Sequence, residues 1–320
     1  MDGSLARLKR AFRRFADGRA PRPVRNPSTL PAGAAAWLRP DNPALLDLKA
    51  RYAAMDKRVT TPLIWTEARL SAEDLLYFRS DNHFVWQVRG PNRDPRSYAA
   101  VARFVASQDA DGLLDLLGED GLFGASTFEV DGRTVSRDLL DSAGEIGFLK
   151  RHAGLGERPM NLLDIGAGYG RLAWRLEQAV ADVNVYATDA FAPASFVADH
   201  YLRFRRAGRA RMVPLDEVEA LLGGTRIDVA VNVHSFSECT LDAIGWWAAL
   251  LARHRIPWLM VVPNEGTTGG ARCQVNGGAD MEAVFERFGY RAAVREPRYA
   301  DPAVQREGID PVHLHLFALE

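Results

Sequence analysis

The chain has 320 residues, 47% hydrophobic and 25% charged, with a formal net charge of -1. That composition builds one large globular domain or two modest ones, and the near-zero charge excludes a global field that would draw the protein to nucleic acid or an anionic membrane. Two cysteines far apart in sequence, with no CxxC or Cys/His ladder, exclude a zinc framework or disulfide scaffold and suit a reducing cytosol, so a cytoplasmic location is expected.

The N-terminal stretch MDGSLARLKRAFRRFADG lacks the apolar centre of a secretory signal, and no apolar run reaches membrane-spanning length. Leu5, Leu8, Phe12 and Phe15 recur at helical spacing with Lys9, Arg10, Arg13 and Arg14 between them, which predicts a basic amphipathic helix. PRPVRNPSTLPAG then reads as an extended linker. Helical patterns follow in PALLDLKARYAAM, TEARLSAEDLLYF and SYAAVARFVASQ, with a short helix over 111–117. DNHFVWQVRGPNRDP is a long aromatic and polar loop, and GLFGASTFEVDGRTVS reads as a hairpin with an Asp-Gly turn. Residues 1–135 are therefore expected to form a mainly helical N-terminal region, and 136–320 a second domain.

In that second part SRDLLDSAGEIGFLKRHAG is an amphipathic helix that Gly154 or Gly156 can end. Strands are predicted over 160–164, 183–189, 210–214, 227–233 and 258–263, alternating with helices over 171–181, 193–207, 217–222 and 241–254. Such alternation means parallel strands with right-handed crossovers. The ending differs: the helix MEAVFERFGY precedes two strands, RAAVREPRY and PVHLHLFAL, joined by a polar loop, which implies an antiparallel last strand. The expected fold is α/β: a Rossmann-like, mostly parallel sheet with an antiparallel last strand, plus the helical N-terminal region.

The most informative segment is NLLDIGAGYGRLAWRL. An apolar strand ends at Asp164; Gly166, Ala167, Gly168, Tyr169 and Gly170 form a turn, and a helix begins near Arg171. Glycines let backbone approach a ligand closely, and amides at the helix start face it. The next strand ends at Asp189, where a carboxylate can accept both hydroxyls of an adenosine ribose, and Ala190 and Phe191 follow, placed to lie against an adenine. The glycine spacing is GxGxG rather than the GxGxxG that cradles a pyrophosphate, and an acid precedes it, which suits an amino group. The pattern resembles the first motif of class I S-adenosylmethionine-dependent methyltransferases. That resemblance implies a seven-stranded sheet, S-adenosyl-L-methionine as cofactor, Asp164 near its methionine amino group and Asp189 on its ribose. Asn232 and Val233, at the end of the strand expected beside the first, are assigned to the cofactor side. Asp216 can bind the adenine amino group, or equally cap the next helix.

AVNVHSFSEC runs a core strand straight into proton-moving groups. In an open parallel sheet ligands bind beyond the carboxyl ends of the strands, so His234 to Glu238 form the loop where a methyl group is delivered. An alcohol must lose its proton as it attacks, and His234 can accept that proton with Glu238 orienting the ring or acting as base itself. Ser235 and Ser237 can hold substrate hydroxyls. The structural alternatives are a satisfied core histidine and a Glu238 that caps the following helix.

NVHSFSEC also resembles a loop of bacterial sugar O-methyltransferases, with Cys239 where that family has methionine, and DNHFVWQVRG resembles an upstream segment of the same family. The resemblance implies transfer to a hydroxyl of a sugar or glycosylated metabolite, as in natural-product biosynthesis. Trp86, Gln87 and Arg89 then line the sugar side, or Trp86 anchors a helical lid. Glu265 can bind substrate; no paired carboxylates at strand ends demand a metal, and His313 and His315 share a strand face more suited to burial than to ligation. The expected partner is a small molecule, not nucleic acid or a membrane, with a homodimer open to it. The alternatives are a methyltransferase for a phenol or amine, a nicotinamide oxidoreductase, and a non-catalytic partner protein on the same fold.

Overall fold

The computed structural model describes residues 27–60, 66, 70–80, 95–266 and 268–320. The expected basic N-terminal helix lies outside them, as do Trp86, Gln87 and Arg89.

The N-terminal helices are α1 (Ala34–Trp37), α2 (Pro43–Ala53), α3 (Lys57–Thr60), α4 (Ala72–Leu76), α5 (Pro95–Gln108) and α6 (Leu113–Leu116). α4 is shorter than its sequence pattern predicts, because Ser71 and Asp74 close a reciprocal capping box that starts the helix there. β1 (Phe128–Val130) and β2 (Arg133–Val135) pair antiparallel through Asp131 and Gly132, whose φ values of 50° and 79° form the turn the Asp-Gly pair predicts. α7 (Arg137–Ala153) begins where the Ser136 side chain accepts from the Leu139 amide at 3.1 Å, and ends at Gly154, φ 67°.

From there strands and helices alternate: β3 (Met160–Ile165), α8 (Arg171–Ala179), β4 (Val183–Thr188), α9 (Ala192–Phe204), β5 (Ala210–Met212), α10 (Val218–Gly224), β6 (Val229–Val233), α11 (Leu241–Arg253), β7 (Trp258–Val262), α12 (Glu282–Arg287), β8 (Tyr290–Pro297), α13 (Pro302–Glu307) and β9 (His313–Leu319). These seven strands form one sheet in the order β5-β4-β3-β6-β7-β9-β8. Pairing is parallel from β5 to β7, and β9 runs antiparallel to both β7 and β8. The fold is the Rossmann-like α/β architecture that the alternation predicts. One connection differs: the polar loop before the last strand contains α13, which Asp301 caps by accepting from the Ala303 and Val304 amides and which Pro302 opens.

Alternate strand residues go to opposite faces. Leu163, Ile165, Ala230, Leu259 and Val261 join a core with α10, α11 and α12. Leu162, Val185, Val229, Val231, Met260 and Val262 join another with α7 and α8. Burial on both faces explains why the parallel strands read as continuous apolar runs. Among the described residues no helix is long and apolar enough to cross a membrane.

Candidate active site

The strand order reverses between β3 and β6, which opens a crevice at their carboxyl ends. Register places Thr188, Ile165 and Asn232 side by side on the last paired rung of β4, β3 and β6. Three residues ending these strands or following them directly each carry a buried polar atom with no hydrogen-bond partner among the described residues: Asp164 Oδ2, Thr188 Oγ1 and His234 Nδ1. Buried polar groups are nearly always partnered, so such groups at one edge of a sheet mark a place built for a ligand.

Gly166, Gly168 and Gly170 all have positive φ, at 72°, 58° and 83°. At Gly166 the surrounding structure itself demands glycine: a Cβ there would lie 2.3 Å from Ser235 Cβ and Oγ, so the turn and the loop after β6 touch backbone to side chain. The amides of Gly166 and Ala167 donate to Thr188 O at 2.9 and 3.1 Å. Tyr169 points away from the crevice, buried, with its hydroxyl donating to Asp138.

Asp164 shares the face of β3 that looks toward α7 and α8. Burial pushes its carboxyl up to about 7; Arg171 pulls the other way, and the charges of Glu145 and Asp189 add to the rise. Arg171 is committed elsewhere, donating to Glu145 Oε2 and Ser142 Oγ at 2.8 Å each. Asp189 is half-buried and accepts from the Gly168 amide at 2.9 Å and the Phe191 amide at 2.8 Å. Burial holds its carboxyl up at about 6 against those two donors. Ala190 and Phe191 follow it, half-buried.

Asn232 is fully buried, and both its polar ends are used within the chain: Nδ2 donates to Ile165 O and Oδ1 accepts from the Phe236 amide, each at 2.8 Å. It clamps the loop after β6 to the end of β3, which is a different task from contacting a cofactor through its side chain. Asn232→Ala is expected to cost about 2–4 kcal/mol, read by chemical denaturation, because two buried groups lose their partner. Val233 follows it, half-buried.

His234 has φ 66° and ψ -33°, an uncommon backbone for a residue with a Cβ. Its Nε2 lies 3.1 Å from Asp310 Oδ2. The carboxylate at the imidazole thus comes from the loop before β9, where local sequence reading places Glu238. Glu238 ends the single turn after His234, and the cap of α11 is Thr240, which accepts from the Ala243 amide at 3.1 Å. Ser237 is fully buried, its hydroxyl accepting from the Asn264 amide at 2.9 Å and its carbonyl from the Asn276 amide at 2.7 Å. It ties the loops after β6 and β7 together, so its hydroxyl is already engaged rather than open to substrate. Ser235 packs on Gly166. Glu265 is exposed, with its carboxyl raised by partial burial and by the charge of Asp310.

Asp310 sits among cations. Arg137 Nη2 is 2.8 Å from Oδ2, and Arg298 Nη1 donates to the same oxygen at 3.0 Å. Burial alone would raise this carboxyl, but Arg137, His234 and Arg298 outweigh it and hold it well below the usual carboxylate range. Arg298 also reaches Glu145 at 3.3 Å, so ion pairs run from Arg171 beside the glycine turn to Asp310, which faces His234. None of Glu145, Arg171, Arg298 or Asp310 stands out in the sequence. One signal was available for Asp310: an antiparallel last strand starts at the carboxyl edge of the parallel strands, so acids in the loop before it belong to the site.

The N-terminal helices reach the same edge. Tyr52 on α2 accepts from the Leu215 amide at 2.8 Å and donates to Ser195 Oγ at 2.9 Å, which in turn donates to Asp189 O at 3.0 Å. Arg51 grips both oxygens of Asp216 at 2.8 Å. Asp216 therefore neither caps α10 nor stands free for an adenine: it holds α2 against the loop after β5.

His315, Cys273 and Glu282 lie close enough together to suggest a metal site. The ligand atoms of His315 and Glu282 are already used. His315 Nε2 contacts Gly270 O at 2.8 Å, its Nδ1 accepts from Arg295 Nε at 3.0 Å, and Arg295 Nη2 donates to both Glu282 oxygens at 2.7 Å. Burial lowers the imidazole to about 4, so it is neutral and structural.

No protein-family model matches the chain, and no curated protein does. Solved structures do. Magnesium protoporphyrin IX methyltransferase from Synechocystis PCC 6803, with bound SAH, is 15% identical over 70% of this chain and 100% of its own, TM-score 0.43. A SAM-dependent methyltransferase from Aquifex aeolicus is 16% identical over 70% and 97%, TM-score 0.40. An S-adenosylmethionine-dependent methyltransferase from Clostridium acetobutylicum ATCC 824 is 12% identical over 56% and 90%, TM-score 0.41. At so distant a likeness the support for a function comes from the site itself.

Proposed function

We propose that the protein is an S-adenosylmethionine-dependent O-methyltransferase acting on a small molecule, with a sugar hydroxyl as acceptor. The observation that carries the reading is the Asp164 Oδ2, without a hydrogen-bond partner among the described residues, beside a turn of three positive-φ glycines at the switch point of the sheet. A buried carboxylate raised to about 7 becomes an anion readily only when a cation arrives, and an ammonium group is such a cation. Asp189, just past the end of the neighbouring strand β4, offers a carboxylate to ribose hydroxyls once its amide contacts yield part of their hold. When bound, S-adenosylmethionine supplies an electrophilic methyl group on a sulfonium.

The acceptor side rests on His234, which follows the neighbouring strand and has a buried nitrogen free of hydrogen bonds among the described residues. A base at that place favours a hydroxyl over an amine, which attacks without giving up a proton first. The sugar class rests on the resemblance of NVHSFSEC and DNHFVWQVRG to sugar O-methyltransferases; Trp86, Gln87 and Arg89 belong to the second of these segments. Residues 1–135 are proposed as the substrate-covering region and 136–320 as the methyltransferase domain.

Calorimetric titration tests the cofactor. S-adenosylhomocysteine is expected to bind at micromolar concentration, and more tightly as pH rises from 5 to 8 because Asp164 and Asp189 ionise in that window at about 7 and about 6. Binding of NADH with no heat from S-adenosylhomocysteine would leave the oxidoreductase reading in its place.

A further inference from the structure

Building on the methyltransferase reading, we propose that Asp310 is the positioning residue of His234: it faces Nε2, so that Nε2 carries the ring proton and Nδ1 presents the lone pair that receives the acceptor's hydroxyl proton.

Four observations support the assignment. The two side chains meet at 3.1 Å through Nε2, which leaves Nδ1 as the other ring nitrogen. Nδ1 is buried and has no hydrogen-bond partner among the described residues, an arrangement that costs about 1–3 kcal/mol in a structural histidine and is relieved by an incoming hydroxyl. Both residues hold left-handed backbone, φ 66° at His234 and 47° at Asp310, and strain of this kind gathers where geometry serves a site. Arg137 at 2.8 Å and Arg298 at 3.0 Å fix the Asp310 carboxylate and keep it ionised beside the ring. The Nε2 contact is not aligned as a hydrogen bond; such contacts commonly tighten only when substrate is present.

The proton and electron balance follows. As the acceptor oxygen bonds to the methyl carbon, the carbon–sulfur bond breaks with its electron pair remaining on sulfur. The hydroxyl proton passes to His234 Nδ1, and the imidazolium charge so formed lies against the Asp310 carboxylate. An imidazole held with the wrong nitrogen toward the acceptor could not take that proton, which is why the tautomer matters.

Nuclear magnetic resonance of the full chain, isotope-labelled at the histidine ring nitrogens, reads the tautomer without any acceptor. The His234→Gln spectrum identifies the resonance among the seven histidines. The neutral ring of the wild type is expected as a single tautomer, protonated at Nε2, and Asp310→Asn is expected to lose that pattern in favour of a mixture. A wild-type ring protonated at Nδ1, or an Asp310→Asn spectrum identical to wild type, overturns the proposal; the wild-type spectrum decides by itself if Asp310→Asn does not fold. Titrating the same wild-type sample with S-adenosylhomocysteine separates the two levels. Absence of binding removes the methyltransferase reading and the role of Nδ1 with it, whereas a wrong tautomer removes the roles of Asp310 and Nδ1 and leaves the methyltransferase reading standing.

Discussion

Asp164→Asn is expected to make the protein more stable and less able to bind S-adenosylhomocysteine. Burial holds the Asp164 carboxyl at about 7, against about 4 in an unfolded chain. The folded state therefore binds this proton more tightly than the unfolded state. Its contribution to stability is fully present below about pH 4 and is lost as pH rises through about 7. That difference corresponds to a burial penalty of about 4 kcal/mol above neutrality. Asparagine removes the charge but leaves a buried amide short of partners, so the expected net gain at pH 8 is about 1–3 kcal/mol. Binding moves the other way. Losing a charge-assisted contact to an ammonium weakens affinity by about 10- to 100-fold. Denaturation at a series of pH values, with calorimetry at pH 8, reads both. Asp189 titrates nearby at about 6, so the difference between wild type and variant isolates Asp164. A variant that binds S-adenosylhomocysteine as well as wild type would remove Asp164 from the amino-group role.

Gly166→Ala is expected to be among the most damaging single-methyl additions in the chain. The new Cβ would lie 2.3 Å from Ser235 Cβ and Oγ, and the backbone stands at φ 72°. Overpacking costs about 1–3 kcal/mol and the left-handed backbone about 1–2 more for a residue with a Cβ. A loss of about 3–4 kcal/mol is expected in chemical denaturation. The two parts are separable. Adding Ser235→Gly removes the atoms that clash, so the double variant should recover about 2 kcal/mol and keep the backbone cost. A cycle of the two single variants and the pair measures this coupling. A Gly166→Ala protein with wild-type stability would mean that the glycine turn and the loop after β6 do not meet as described.

Legibility in the sequence followed the range of the interactions. Strands β3, β4, β6 and β7 appear as short apolar runs because both sheet faces are covered, and their ends fall at turn residues within a residue or two of the predicted positions. The glycine turn and the acids flanking it are local, so their order along the chain already places them. α4 and α13 depart from the sequence pattern because their limits depend on side-chain caps at Ser71 and Asp301 rather than on apolar period. Side-chain commitments were the harder part. Asn232, Ser237 and Asp216 carry the right polar groups at the right edge, yet the fold uses those groups to bind loops and helices to one another.

By itself the sequence determined a parallel α/β sheet with an antiparallel last strand, and a glycine turn between two acids at strand ends, because hydrophobic period and turn chemistry act over a few residues. Only the tertiary structure decided which carboxylate meets His234. β9 lies beside β7 and runs opposite to it, so it begins at the edge where β6 and β7 finish. That reversal carries Asp310 to the imidazole, and Arg137 and Arg298 arrive from α7 and from the loop after β8 to keep it charged. Ion pairs between distant elements leave no period in a sequence; strand order and direction bring them together.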